Sequence, residues 1–235
     1  MTPQDTIPRN LWLLTHLNRE SIPAWVGLTP FEYRDIRAED GSYIQSSLLA
    51  TLWHSFGFGA QIPFMNYQFP NGVALRLDAD LGLDLNSHYI NLTDTASVGE
   101  VYINMHLLKP EEVDQIAEVL SLNHLTLSLP PNKVTTLDTT FTFIEDASVF
   151  QLMSHAHEHM LEFRVEKVGG ELDGELVYIA YDWDHPPILE LDPPIHVRAG
   201  EGLKLIVTYD NWTDETLRFG FLSEDEMMII FGYVY

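Results

Sequence analysis

The chain contains no cysteine, which excludes disulfide bridges and thiolate metal sites and leaves His, Met, Asp and Glu as the available ligands. It is also poor in positive charge. Lys and Arg number 12 against 35 Asp and Glu, for a formal net charge of -23. DNA, RNA and anionic membranes would repel such a chain, so no nucleic-acid partner is expected. The acidic residues are spread along the sequence without a block, which fits solubility and a general attraction for cations. No run of about 18 apolar residues occurs, so no membrane insertion is expected. Near the start, Asn10-Leu-Trp-Leu-Leu-Thr15 is too short for a signal h-region, and no small-residue cleavage site follows it. Also missing are a Ser/His/Asp nucleophile elbow, a phosphate-cradling Gly loop and a zinc-protease helix motif.

What is present reads as strand. With 235 residues, 46% of them hydrophobic, the chain can build one large or two small cores. Short runs rich in Val, Ile, Thr, Tyr and Phe recur between Gly, Pro, Asn and Asp: Gly72 to Leu77, Leu81 to Ile90, Gly99 to Leu107, Thr139 to Ile144, Leu176 to Tyr181 and Leu203 to Tyr209. The expected fold class is all-β, with two consecutive antiparallel β-sandwich domains of jelly-roll type, residues 1–119 and 120–235. The boundary is set by the clearest helical candidate, Pro110 to Leu120, which has Pro in its first turn, acidic residues beside it, and Val113, Ile116, Ala117 and Leu120 at helical spacing. Pro130-Pro131 and Pro193-Pro194 mark turns or edges where no ladder donor is required.

The chemistry-bearing residues gather in the second half. His155-Ala-His157-Glu-His159 places imidazoles at i and i+2, which on a strand project from one face, with His159 next along it. Met227 closes Ser223-Glu-Asp-Glu-Met227. Two imidazoles and a thioether make a copper set, because Met binds soft Cu(I) well and zinc or magnesium poorly. Met227 also has an ordinary reading as core filler in Met227-Met-Ile-Ile-Phe231. His159 reads as a neighbouring surface histidine, and Glu224-Asp225-Glu226 as a solvated loop that positions Met227. Asp182, Asp184 and His185 read as a turn.

From about Gln61 onward the chain resembles the copper type II, ascorbate-dependent monooxygenases, the family of peptidylglycine alpha-hydroxylating and dopamine beta-monooxygenases and their bacterial relatives. The resemblance is carried, in order, by Phe69-Pro-Asn-Gly-Val-Ala74, Leu85-Asn-Ser-His88-Tyr-Ile-Asn91, Ser154-His-Ala-His157, Tyr181-Asp-Trp-Asp-His-Pro186, Val197-Arg-Ala-Gly-Glu-Gly-Leu203, Tyr209-Asp-Asn211 and Asp225-Glu-Met227. It implies two coppers, one per sandwich. His155, His157 and Met227 would form the oxygen-activating, catalytic site, and His88 one ligand of an electron-transfer site, with His16 a further candidate ligand by its place in order; His54 and His106 are others. The implied reaction inserts one oxygen atom of O2 into a C–H bond of a small organic substrate. The second oxygen leaves as water, with electrons from ascorbate or a similar reductant. The family is mostly secreted or periplasmic.

The chain departs from the family in three places. The upstream His-His pair of the electron-transfer site is absent, and only Thr15-His16 stands near its place. A family disulfide falls on Met228 and Val207, which implies apolar packing in its stead. The clamp for a peptide carboxylate falls on Met153, Ile229 and Phe231, which implies a more apolar substrate than a peptide terminus. Two other readings of the residues are a single-copper binding or redox protein without the electron-transfer site, and a metal-free β-sandwich binding module using aromatics such as Trp183 and Trp212.

Overall fold

The computed structural model describes residues 6–16, 54–62, 64–77, 83–91, 93–96, 98, 102–220 and 224–235. The strands are β1 Thr6–His16, β2 His54–Ala60, β3 Val73–Leu75, β4 Leu83–Asn91, β5 Gln115–Asn123, β6 Ser128–Leu129, β7 Lys133–Thr142, β8 Ala147–His155, β9 Met160–Val168, β10 Leu176–Ala180, β11 Leu189–Val197, β12 Gly202–Asn211, β13 Leu217–Arg218 and β14 Ile229–Val234. The only helical element among the described residues is a 3-10 turn at Pro110–Glu112, so the protein is all-β. Two compact units divide the chain: residues 1–68 with 76–108, and residues 69–75 with 109–235.

In the first unit, β1 lies between β2 and β4 in an antiparallel three-stranded sheet. The second unit is a sandwich of a four-stranded sheet, β10-β9-β12-β7, and a five-stranded sheet, β11-β8-β14-β5-β3, with a small β13-β6 ribbon beside them. Period-2 alternation builds its core. Along β12, Leu203, Leu205, Val207 and Tyr209 are fully buried, while Lys204, Ile206, Thr208 and Asp210 between them are only partly so. β9 contributes Phe163 and Val165, and the facing sheet contributes Leu120, Val149, Leu152, Met228 and Ile230 to the same cluster. Each such side chain adds roughly 1.5 to 3 kcal/mol by leaving water. Met228 and Val207 are both fully buried in that core.

Four sequence expectations change here. Pro110–Leu120 is no helix: the first turn forms as read, with Lys109 N–H donating to Glu112 Oε2 at 2.8 Å, but the chain then extends into β5. β5 pairs with β14 over Glu118 to Asn123 and with β3 in parallel. Sheet hydrogen bonding on both sides therefore overrides a helical spacing that four apolar positions cannot enforce. Accordingly the units part at 108/109 rather than at 119/120, and residues 69–75 belong with the second unit. Residues 102–107, read as strand, are irregular, with Tyr102 and Leu107 exposed. The run from Gly72 to Leu77 contracts to three residues. Pro193-Pro194 lies on β11, an edge strand, at a register break between Glu190 and Ile195.

Candidate metal centre

β8 ends at His155, whose Cα partner on β14 is Ile229. The residue before it turns inward: Ser154 N–H donates to the Tyr178 hydroxyl at 3.0 Å, and that hydroxyl donates to the Pro187 carbonyl at 2.8 Å. Burial pushes the Tyr178 phenol above its usual range. By alternation His155 lies on the opposite, outer face of the five-stranded sheet, together with Met153, Ile229 and Phe231, all buried. Met153 and Phe231 are direct Cα partners. The three apolar substitutes for the family's carboxylate clamp therefore surround the His155 position.

His157 is not on a strand. The chain leaves β8 at His155 and turns, with Met160 N–H donating to the His157 carbonyl at 3.1 Å, so strand alternation does not account for the His-x-His geometry. The two rings are nevertheless neighbours, with centroids 5.5 Å apart at 79°. His157 Nδ1 lies 2.8 Å from the Asp225 carbonyl. A carbonyl only accepts, so Nδ1 carries a proton in this contact.

Glu226 joins the two halves of the centre. Its Oε1 accepts from His157 N–H and, at 2.7 Å, from Met227 N–H, while Oε2 accepts from His159 N–H at 3.3 Å. Two donors on one oxygen hold the His157 and Met227 main chains within about 5 Å of each other. Glu226 is itself anchored, since its N–H donates to the Arg218 carbonyl at 3.0 Å and its carbonyl accepts from Gly220 N–H at 3.3 Å. The Met227 carbonyl accepts from the buried Tyr209 hydroxyl at 2.7 Å. Burial raises the Glu226 carboxyl to about 7, against the three N–H groups that favour its charged form, and the Glu158 charge adds to the rise. Burial, and then the Glu226 charge, push the Tyr209 phenol well above its usual range.

Two readings from the sequence are corrected. Glu226 is not in a solvated loop but fully buried, as an acid directly preceding the apolar run Met227 to Phe231. His159 is not a surface residue. It is buried, with Nδ1 3.0 Å from the Asp210 carbonyl and its ring 4.0 Å from that of Trp212. The turn after His155 carries it away from the strand face and under the end of β12. Asp182 does make a turn, its Oδ1 accepting from Asp184 N–H at 2.9 Å and His185 N–H at 3.0 Å. Trp183 packs against the core and Trp212 is half exposed, its ring tilted at 41° against that of His159.

Among the described residues no three His, Asp or Glu side chains gather as a metal-ligand group, so a centre here depends on the Met227 thioether as its third donor. The donor types fit copper on that chemistry: two neighbouring imidazoles, and a buried thioether residue whose main chain is held to the same turn. For His16, His54 and His88 the backbone alone is described. His16 is the Cα partner of His54, and His88 is the partner of Asn10. Asn10 and His16 are six residues apart along β1, about 20 Å at strand rise. The register thus sets His16 beside His54 and away from His88. His106 is exposed in the irregular segment.

No protein-family model matches the chain, and no curated protein matches it. Among solved structures, the "Structure of infectious bursal disease virus Gx strain" aligns with 97% of this chain and 61% of that one, at 13% identity and a TM-score of 0.22. A likeness that slight carries no argument about fold or activity.

Proposed function

We propose that the chain is a copper-dependent monooxygenase acting on a C–H bond of a small, apolar organic substrate, with O2 and ascorbate or a similar reductant. The observation that carries the reading is the single carboxylate of Glu226, which accepts from the main-chain N–H groups of His157 and Met227 and so brings the turn bearing the two neighbouring imidazoles beside the Met227 main chain at one end of the sheet. His155, His157 and Met227 would hold the metal, which when bound would supply one-electron redox chemistry and a place for oxygen. Glu226 and Tyr209 position Met227 from the main chain. The Asp225 carbonyl holds the proton on His157 Nδ1. Met153, Ile229 and Phe231 give the surroundings of His155 an apolar character that favours a substrate without a carboxylate.

A second reading, a single-copper binding or redox protein, is favoured by the β1 register, which separates His16 from His88. Copper stoichiometry after anaerobic Cu(I) loading and desalting distinguishes the two. Two coppers per chain, falling to one in His155→Ala/His157→Ala, supports the monooxygenase with both centres. One, falling to zero, supports the single-copper protein. Full copper retention in the double variant overturns the centre itself.

A further inference from the structure

The turn that leads into β3 carries an Asn-Gly step, in which a main-chain nitrogen unshielded by a side chain stands one residue from a carboxamide. Pro70 to Val73 form a β-turn closed by Val73 N–H donating to the Pro70 carbonyl at 3.0 Å, and Gly72 takes its third position with φ at 76°. Asn71 is exposed, and neither its side-chain amide nor the Gly72 N–H makes a hydrogen bond among the described residues. Both reacting groups are therefore unheld. The Asp173-Gly174 step could form the same ring, but it is held at both groups: Gly174 N–H donates to the Lys167 carbonyl at 2.9 Å, and Asp173 Oδ1 accepts from Gly169 N–H at 2.7 Å. The flanks of the Asn71 turn are fixed. Phe69 packs its ring against those of Phe150 and Tyr233, with centroids 5.4 and 4.6 Å away, and Val73 is buried. Gly72 also anchors the start of β5, because its carbonyl accepts from Asp114 N–H at 2.7 Å and from Gln115 N–H at 3.0 Å.

We propose that Asn71 is a site of spontaneous deamidation, and that its isoaspartyl product releases β3 from the edge of the five-stranded sheet. The Gly72 nitrogen attacks Asn71 Cγ and gives up its proton, the Cγ–Nδ2 bond breaks, and Nδ2 leaves as ammonia. A succinimide ring remains. Water opens it at either carbonyl. Addition at Cγ gives aspartate; addition at the main-chain carbonyl carbon gives isoaspartate, in which the chain runs through Cβ and Cγ. One water enters and one ammonia leaves, with no change of oxidation state. The isoaspartyl chain is longer by one methylene, and that methylene falls between two anchors. On one side is the ring packing of Phe69; on the other are the pairs Val73 with Gln115, Ala74 with Ile116 and Leu75 with Ala117. Three residues of parallel ladder at a sheet edge are the weaker hold, so β3 gives way and the far side of β5 from Gln115 to Ala117 is uncovered.

The test is to age the full chain at neutral pH and physiological temperature, then to map it by mass spectrometry and hydrogen exchange. The peptide holding residue 71 should gain the mass difference between an amide and an acid, and fragmentation should locate isoaspartate there and none at residue 173. In the aged protein the Asp114 and Gln115 amides, which donate to the Gly72 carbonyl, should exchange about tenfold faster or more. Gly72 is a poor place for a variant, because an added Cβ would run into the Asp114 carboxylate, so the changes are made at residue 71. Asn71→Gln, which closes only to a larger ring, should stay an amide and keep its exchange rates on ageing. Asn71→Asp, read when fresh, adds the charge without the methylene and should leave the exchange rates as in fresh wild type. An Asn71 that stays an amide in the folded chain overturns the site, and conversion in the urea-unfolded chain would then assign the protection to the turn. Conversion with unchanged exchange at Asp114 and Gln115 overturns the release of β3, as does equally fast exchange in aged Asn71→Gln.

Discussion

Glu226 shows how much one side chain can organise. A carboxylate that is wholly buried and accepts three N–H donors from the His turn and from Met227 fixes the separation of two segments about seventy positions apart in sequence. Its value of about 7 lies above the ordinary 4.5 because burial penalises the charge. Between those two values the folded chain holds a proton that the unfolded chain has released. Its contribution is therefore complete below about 4.5 and fades as pH rises through about 7. Urea unfolding of metal-free protein should show wild type losing about 2 to 3 kcal/mol relative to Glu226→Gln across that window; parallel pH curves would remove Glu226 as the source. Met227→Ile, nearly isosteric, should cost under about 1.5 kcal/mol in stability. The same variant should lose at least tenfold in Cu(I) retention by competition with a chelator, and unchanged retention would take the thioether out of the centre.

At the scale of elements, β14 is the strand on which the second unit depends, since it sits between β8 and β5 and every residue from Ile229 to Tyr233 is buried. Gly232 lies so close to Gln151 that an added methyl group would run into its main-chain carbonyl. Gly232→Ala should therefore cost about 3 kcal/mol or more, read as a fall in Tm, because backbone on both sides prevents relief. Tyr178 ties the two sheets through Ser154 and Pro187, and Tyr178→Phe should cost about 1 to 3 kcal/mol by leaving Ser154 N–H and the Pro187 carbonyl without that partner. Alternation in β12 was legible because one face is buried and the other only partly so. β5 was not legible: its partners β14 and β3 are distant in sequence, and Val113, Ile116, Ala117 and Leu120 fit a helix as well as a strand until those partners are in place.

For the whole molecule, 35 acidic residues against 12 basic ones predict self-repulsion in the folded state. Tm should rise on going from about 0.05 M to about 0.5 M NaCl, as the Debye length shortens. A flat or falling Tm over that range would mean that the charges are already separated beyond their mutual reach. No helix among the described residues is long and apolar enough to cross a membrane.

The sequence by itself determined the all-β class and the edge position of Pro193-Pro194, because period-2 alternation and the missing donor of proline are local properties. Only the tertiary structure decided where the units part, that His159 is buried under Trp212, that His16 lies opposite His54, and that Glu226 joins His157 to Met227. Each of those depends on which strands pair and in what register, and that is set by the sum of burial and ladder hydrogen bonds over the whole sheet rather than by any one run of residues.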